Sequence, residues 1–448
     1  MRSDGHASAR RRASTGCQMP AAVVACSMAL ALPGVALAES LADDWLQRDT
    51  LSGDWHGLRS RAGVAGVTLN ASYVGEAAGS LSGGDRRTAR YTQQVEAEAL
   101  LDMERLAGIR DARVQVTLNY RYGRSLSGEV LHNQFAVQEL YSTAQIVRLS
   151  QLNWLQDFAD GRVTVQLGWS PLGNDLARLP AFCKFQNVVI CGHANAMTVN
   201  SGAINGPVSQ WGARFKVWPT PQFYINAGIY RNNPDGGTDD GFDLSLDHDG
   251  SFYPVELGWE RREGAPRSSI AFGAYYNTAD TPDLYYDVNR DPAGLTGLPM
   301  LQHGGRHGGY VMGRQVIYQP EPGNAARALS VGGIAGVGDS ATARFRRFAI
   351  LGALYQGPLA SRPDDFASFM VAWSPTNPRL SQFQSDRNLA LPGTVPVQRW
   401  ETVLELDYGI QATPWLILQP NLQYIVQPGG NDTRKNAFAL GLHVAVKL

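Results

Sequence analysis

Apolar and polar side chains alternate along residues 209–231, and the alternation is interrupted once, at residues 219–221. A repeat of two is the period of a β-strand with one apolar and one polar face. The apolar positions are Trp211, Ala213, Phe215, Val217, Phe223, Ile225, Ala227 and Ile229. The segment predicts a hairpin. Its apolar face would point to the core of a soluble protein but to lipid in a membrane barrel.

The same alternation recurs along the chain and defines sixteen predicted strands. They are 66–77, 91–103, 111–122, 138–157, 161–169, 207–218, 222–232, 251–260, 268–277, 307–319, 326–337, 343–354, 366–374, 397–412, 414–427 and 435–448. Tight turns rich in Pro, Gly and Asp follow the even-numbered strands, whereas long segments follow most of the odd-numbered ones. An even number of strands with short turns at one rim and long loops at the other is the layout of a transmembrane barrel.

The polar face of these strands is too charged for a packed core. In the last strand, the positions between the apolar residues include Gly441, His443 and Lys447, and Glu256 and Glu260 occupy the polar face of residues 251–260. Burying each such charge without a partner would cost on the order of several kcal/mol. A water-filled lumen removes this cost. We therefore predict an all-β fold, a 16-stranded antiparallel transmembrane β-barrel whose apolar face meets lipid.

The amino-terminal region predicts export. A basic stretch that includes residues 10–12, an apolar run at 21–32 and a small-residue cleavage site at 36–38 are typical of a signal peptide over residues 1–38. A lipobox-like stretch ending at Cys26 leaves a lipoprotein signal as the alternative. Residues 39–65 form a predicted periplasmic segment with one short amphipathic helix, because apolar residues recur at helical spacing between 51 and 62. Residues 66–448 form the predicted barrel.

Composition and charge narrow the partners. The 448 residues include 39 Lys and Arg and 40 Asp and Glu. Removing the signal peptide takes four Arg and one Asp, so the mature chain carries a net charge of −4, and nucleic acid is not an expected partner. The mature chain retains Cys183 and Cys191. In an exported protein this pair predicts a disulfide, with two free thiols as the alternative.

Other motifs give little support to catalysis, and we expect no enzyme activity, no cofactor and no resident metal. The Gly-rich residues 332–341 keep the character of a strand and precede no helix, which argues against a phosphate loop. His303 and His307 lie in a Gly-rich segment without an evident third ligand. The Asp-rich residues 235–250 predict a solvated acidic loop, with a calcium site as the alternative.

Eight stretches of the chain resemble the carbohydrate-selective outer-membrane porin family of the OprB type. They are LSGDWHGLRSR (51–61), YVGEAAGSLSGG (73–84), GRSLSGEVLHNQFAVQELY (123–141), CKFQNVVICG (183–192), SGAINGPVSQWGARFKVWPTPQFYINAGIY (201–230), PVELGW (254–259), GGYVMGRQVIYQPEPG (308–323) and ETVLELDYGIQATPWLILQPNLQYIVQPGG (401–430). The resemblance implies a barrel in the bacterial outer membrane, with loops folded into its lumen, that passes glucose and related small sugars or polyols. Three positions depart from the pattern of this family: Trp169, where Arg is common, Lys184, where an acidic residue is usual, and Leu448, where an aromatic residue is usual.

Selecting an uncharged sugar requires fixed hydrogen-bond donors and acceptors of modest strength. The predicted pore-lining residues are Glu76, Asn119, Arg121, Arg124, Glu139, Asp175, Gln210 and Arg214. For each of them the alternative is a residue that solvates or braces the barrel wall. Tyr224 and Tyr230 are candidates for contact with the sugar ring, with packing in an aromatic girdle as the alternative.

The predicted barrel has expected partners and two kinds of alternative function. Small sugars, outer-membrane lipid and lipopolysaccharide are the expected partners, with a monomer or a homotrimer as the state of assembly. A general diffusion porin is the nearest alternative function. A membrane-barrel enzyme or a secreted β-rich carbohydrate-binding protein is the rival from another class.

Overall fold

A computed structural model describes most of the chain beyond residue 44. The described residues are 45–141, 144–174, 176–190, 193–202, 206–232, 240–246, 249–261, 268–321, 324, 326–393 and 395–448. The predicted signal peptide, Asp175 and Cys191 lie outside them. The predicted disulfide therefore stays a prediction, as does a calcium site in the Asp-rich loop, most of which also lies outside the described residues.

The described residues form sixteen antiparallel strands that close into one barrel, because the first strand, Val67–Ser82, pairs with both the second, Ala89–Asp102, and the last, Ala437–Lys447. The barrel strands are β1 (Val67–Ser82), β2 (Ala89–Asp102), β3 (Ala112–Gly123), β4 (Val147–Phe158), β5 (Val163–Ser170), β6 (Gln210–Val217), β7 (Phe223–Arg231), β8 (Ser251–Glu260), β9 (Ser269–Asn277), β12 (Arg306–Tyr318), β13 (Ala328–Gly338), β14 (Arg347–Gln356), β15 (Phe366–Pro375), β16 (Trp400–Thr413), β17 (Leu416–Val426) and β18 (Ala437–Lys447). Two further strands, β10 (Thr281–Asp287) and β11 (Met300–His303), form a separate hairpin in the connection between β9 and β12. Each of the sixteen predicted strands corresponds to one barrel strand, so the predicted fold is confirmed.

The helices are short and lie before the first strand or in the connections between strands. They are α1 (Leu58–Val64), α2 (Met103–Ala107), α3 (Asn195–Ser201), α4 (Ala293–Thr296) and α5 (Pro378–Ala390). Within the described part of the chain, no helix combines the length and the apolarity that crossing a membrane would require.

The predicted amino-terminal helix lies at the rim with the short connections. The Arg59 guanidinium donates to the backbone oxygen of Leu448 at 2.9 Å, and the Leu51 N–H donates to the Lys447 oxygen at 2.8 Å. Arg105, in the turn between β2 and β3, donates to the Gly63 oxygen at 3.0 Å. The amino-terminal segment thus contacts both β18 and the turn between β2 and β3. Leu448, the non-aromatic terminal residue, is hydrogen-bonded through its N–H as well as its oxygen, since the N–H donates to the Ala71 oxygen at 2.9 Å.

The apolar face of the strands points outward. Phe215 and Leu442 are 48% and 42% exposed, whereas Arg214 and Glu256, on the opposite faces of their strands, are buried. The alternation along β8 shows the same arrangement, with buried and exposed residues in strict succession from Phe252 to Gly258. A soluble core would reverse this order, so the orientation is that of a membrane barrel.

The first half of one predicted strand is not part of the barrel. The described residues of 138–146 precede β4, and this part of the chain pairs with another loop instead: the Glu139 N–H donates to the Gln186 oxygen at 3.0 Å and the Val188 N–H to the Ala136 oxygen at 2.9 Å. An extended segment has a period of two whether its partner is the wall or a loop. The register also shifts beside Ser150, and this bulge explains why the alternation breaks in this strand.

Two long connections fold into the barrel and fill part of its lumen. We call the described residues of 124–146 the first lumen loop and the described residues of 171–209 the second lumen loop. Their apolar residues pack with the inner wall of β7–β9 and β12–β16 as a single buried cluster. The cluster includes Phe135, Phe182, Val189, Ile190 and Met197 from the loops and Phe252, Tyr275, Met312, Ile350 and Met370 from the wall. The inner face is therefore apolar where the loops rest against it.

Glycines on the wall make room for the second lumen loop. A Cβ atom at Gly352 would lie 2.5 Å from the Phe182 ring, and one at Gly332 would lie 3.0 Å from it. The Gly-rich residues 332–341 thus begin in strand β13 and serve close packing, because only glycine leaves space for the ring.

We expect Gly352→Val to displace Phe182 and to lower the free energy of unfolding by about 1–3 kcal/mol, the usual cost of overpacking. Denaturant unfolding in lipid vesicles measures this change. Gly79→Val is the matched control, because the nearest atom to its added Cβ lies 3.7 Å away. Equal losses in both variants would contradict the proposed contact.

Candidate functional site

A polar cavity of about 440 Å³ lies between the inner wall of β2–β4 and the two lumen loops. We call it the first cavity. Its lining is Gln94, Glu96, Asn119, Arg121, Glu139, Tyr141, Ser150, Gln151, Pro171, Gly173, Asn174, Arg178, Cys183, Val188, His193, Asn195, Thr198, Gly206 and Pro207. Its volume falls within the ~300–1,000 Å³ of typical small-molecule sites.

A second cavity of about 360 Å³ lies nearer the short-turn rim, where β6, β7 and β8 end or begin. Its lining is Asn174, Arg178, Leu179, Pro180, Arg214, Lys216, Tyr224, Glu256, Glu260, Ser269, Ala271, Met312 and Arg314. Asn174 and Arg178 of the second lumen loop line both cavities. The two cavities are therefore neighbours beside the loops, and we call them together the path.

The wall of the first cavity alternates acceptors and donors along neighbouring strands. The Glu96 carboxylate accepts from Asn119 Nδ2 at 3.1 Å, and the Gln94 Oε1 accepts from Arg121 Nε at 2.7 Å. Arg121 also reaches the backbone oxygen of Glu139 in the first lumen loop at 3.4 Å. Strand pairing brings these side chains together, because Glu96 lies opposite Asn119 and Gln94 opposite Arg121 in the register of β2 with β3.

The second cavity is richer in cationic side chains. Arg214 Nε donates to Gln166 Oε1 at 2.9 Å, and Arg314 donates to Ser330 Oγ at 2.9 Å. The Lys216 ammonium lies 4.3 Å from the centre of the Tyr224 ring. Such contacts hold the cations in defined positions along the path.

Buried carboxylates of the barrel wall accept backbone N–H groups of the lumen loops. Glu401 accepts from Gln134 and Phe135 at 2.8 and 3.2 Å. Glu405 accepts from Gln186 and Asn187 at 2.7 and 3.1 Å. These bonds join β16 to both lumen loops.

Two further carboxylates make the same kind of contact. Glu256 accepts from the Ala177 N–H at 2.9 Å, and Glu76 accepts from the Leu140 N–H at 3.1 Å. Hydrogen bonds to a charged acceptor are stronger than those to a neutral one. The loops are thus attached to the wall at several separate points.

The structure places the predicted pore-lining residues in different environments. Four of them line the path: Asn119, Arg121, Glu139 and Arg214. Glu76 is completely buried and contacts the first lumen loop and His443. Gln210 is buried at the start of β6 and lines neither cavity. The roles of these residues in transport stay predictions.

Arg124 lies at the rim with the long loops, in an ion pair rather than in the path. Its guanidinium donates to both carboxylate oxygens of Glu129, at 2.8 and 2.6 Å, and Arg90 reaches the same carboxylate at 2.9 Å. The hydrogen bonds from Arg124 and Arg90 lower the pKa of Glu129 to about 2. The group therefore stays ionised throughout the neutral range.

Several other residues singled out in the sequence lie away from the path. Trp169 donates its indole N–H to the Leu149 oxygen at 2.9 Å and packs against Trp211. Tyr230 is buried in the apolar cluster. His303 and His307 contact two different carboxylates, Asp283 and Asp339, and no group of three metal-ligating side chains occurs among the described residues.

The path also contains polar residues that the sequence reasoning missed. Gln94, Glu96 and Lys216 alternate with apolar residues on strands, so their inward orientation could have been deduced from parity. Arg178 and His193 lie in the second lumen loop, which has no regular period. Nothing in the local sequence signals that they face the same cavity as β2–β4.

Comparison with known proteins decides the family. The family model of the carbohydrate-selective porins, OprB family, matches residues 86–448. The chain belongs to this family. Its relatives include Porin B of Pseudomonas aeruginosa, which is 35% identical over 445 residues that cover 95% of this chain and 97% of the relative. The putative porin QuiX of Acinetobacter baylyi is 31% identical over 430 residues, which cover 90% of this chain and 94% of that relative.

A solved structure supports the same assignment. The high-pH structure of Pseudomonas putida OprB matches with a TM-score of 0.85 and 34% identity, over 90% of this chain and 99% of that one. The OprB-family porin described here is therefore a sugar-selective porin of the bacterial outer membrane. Its resemblance to this family, read from eight sequence stretches, is confirmed.

Proposed function

We propose that the protein passes glucose and related small sugars or polyols by facilitated diffusion along the path through the first and second cavities. The observation that carries the proposal is the arrangement of donors and acceptors along this path. The β2–β3 wall offers a carboxylate, carboxamides and a guanidinium, and the lumen loops face it from the other side. A sugar exchanges its water for such groups as it moves.

The proposed roles follow from the chemistry of each group. Arg121 and Arg214 present rigid forks of N–H donors to the hydroxyl oxygens of a sugar. Glu96 and Glu139 supply acceptors, and the Asn119 amide adds both kinds of group. Each contact must stay weak, because a tightly bound sugar would close the channel to the next molecule. The path needs no chemical step, and we propose a passive channel without catalysis.

The narrowness of the path favours selection over general diffusion. The apolar cluster fills the lumen against β7–β9 and β12–β16, so the first cavity is confined to the side of β2–β4. A sugar that enters this space contacts the wall and the loops together. A general diffusion porin would not require such close contact.

The outward face supports the proposed lipid partners. Leu351, Leu406 and Leu440 are each more than half exposed on the outer wall, and aliphatic side chains at such positions favour contact with lipid chains. We propose contact with outer-membrane lipid and lipopolysaccharide on this face. A monomer and a homotrimer both agree with the barrel.

Single-channel recording in a planar bilayer tests the proposed function. We expect added glucose to reduce the KCl conductance in a saturable manner, because a bound sugar excludes ions from the path. A polymer too large for the first cavity, added at the same viscosity, is the control. A conductance that no sugar reduces would indicate a general diffusion porin. A protein that never inserts would be no channel.

A further inference from the structure

Three peptide groups of the lumen loops are held at positions next to residues that line the path. The Leu140 N–H is bound by Glu76, and both neighbours of Leu140, Glu139 and Tyr141, line the first cavity. The peptide group that Glu76 binds is thus directly adjacent in the chain to two residues that line the first cavity.

The second lumen loop shows this arrangement twice. Glu256 binds the Ala177 N–H, and the next residue, Arg178, lines both cavities. Glu405 binds the Asn187 N–H, and the next residue, Val188, lines the first cavity. A shift of any of these three peptide groups would move a lining side chain.

The three carboxylates come from separate parts of the wall and are almost completely buried. Glu76 lies on β1, Glu256 on β8 and Glu405 on β16, and their exposed fractions are 0%, 3% and 1%. Glu256 also accepts from the hydroxyl groups of Tyr224 and Tyr310, at 2.9 and 2.6 Å. The carboxyl oxygens of these three residues thus accept hydrogen bonds from N–H and O–H groups of the protein.

We propose that Glu76, Glu256 and Glu405 are positioning residues that set the cross-section of the sugar path by holding the two lumen loops at fixed distances from the β2–β4 wall. The proposal rests on the proposed function in one respect: it assigns sugar discrimination to the width that these residues maintain. The width of the path also determines how ions and water pass, so this part of the proposal does not depend on the sugar.

Burial and connectivity explain why so few contacts suffice. A buried N–H that is left without an acceptor destabilises the closed position of the loop. The two loops are also bonded to each other, through Glu139 and Gln186 and through Val188 and Ala136. Loss of the Glu405 contact therefore affects both loops at once.

The test compares Glu405→Gln with the wild-type porin in KCl and then with added glucose. Both carboxyl oxygens of Glu405 accept loop N–H groups, so the amide of Glu405→Gln keeps one acceptor oxygen but turns an NH₂ donor toward a loop N–H. We expect channels that fluctuate to a higher conductance, with the occupancy of that level increased roughly tenfold or more, and weaker block by glucose. Glu405→Asp keeps both carboxyl oxygens but withdraws them by one methylene, and should give an intermediate result.

Asp365→Asn is the matched control. Asp365 is equally buried, but it accepts from Arg362, Tyr408 and Gln411 near the short turn between β14 and β15, away from the lumen loops. Heat-modifiable migration in gel electrophoresis verifies that every variant is folded. A change in conductance confined to the loop-binding variants supports the proposal.

Different results would contradict the positioning role and the proposed sugar preference. A folded Glu405→Gln channel with wild-type conductance and wild-type glucose block would overturn the positioning role. A wild-type porin that glucose does not block, combined with wider variant channels, would overturn the proposed sugar preference and leave the positioning role intact.

Discussion

Leu442→Arg should lower the free energy of unfolding in a bilayer by about 2–4 kcal/mol, the cost of an Arg on the lipid face near the membrane midplane. Leu442 lies in the middle of β18, between Ala77 of β1 and Pro420 of β17, and its side chain is 42% exposed. Because no water reaches that side chain in a membrane, the guanidinium would have to reach for the interface. Urea unfolding in lipid vesicles measures the change.

Gln115→Arg is the control for the other face of the wall. Gln115 lies on β3 and donates to Glu98 at 2.6 Å, so an Arg at this position keeps a carboxylate partner and contact with the lumen. We expect a change of no more than about 0.5 kcal/mol, as for most exposed substitutions. If Leu442→Arg proved as mild as this control, the outward orientation of the apolar face would be wrong.

Arg121→Ala should raise the glucose concentration that gives half-maximal block about tenfold or more, since hydrogen bonds to a charged donor contribute roughly 1.5–3 kcal/mol. The KCl conductance should rise at the same time, because the guanidinium occupies part of the first cavity. Arg214→Ala should change both quantities in the same direction. Arg121→Lys should restore part of the block, because an ammonium keeps the charge but loses the planar fork.

Arg124→Ala is the matched control for this measurement. Arg124 belongs to the same stretch of sequence but pairs with Glu129 at the rim, so its removal should leave glucose block within about twofold of the wild-type value, as expected for an exposed ion pair. Wild-type block in Arg121→Ala and Arg214→Ala would assign both residues to bracing of the wall.

Much of the barrel follows from local pattern. A strand places successive side chains on opposite faces, so the run from Phe438 to Leu448 already indicates one apolar and one mixed face. The number of strands and the alternation of short and long connections were equally readable. The inward orientation of Asn119, Arg121 and Arg214 followed from parity alone.

The path itself depended on contacts between distant residues. Glu76 and Arg121 both occupy inward positions, yet Glu76 is covered by the first lumen loop whereas Arg121 lines the first cavity. Parity cannot separate these outcomes, because it reports the face of a strand and not what lies above it. The bulge beside Ser150 likewise appeared in the sequence only as a break in the pattern.

The sequence by itself determined the barrel, its orientation toward lipid and its family, because each strand carries its own repeat of two and many strands repeat the same information. Only the tertiary structure decided where the two polar cavities lie. No pattern in the lumen loops places them in the lumen, and their position depends on the Phe182 ring over Gly332 and Gly352 and on the carboxylates that bind their peptide groups. Such contacts join residues far apart in the chain, and no local pattern encodes them.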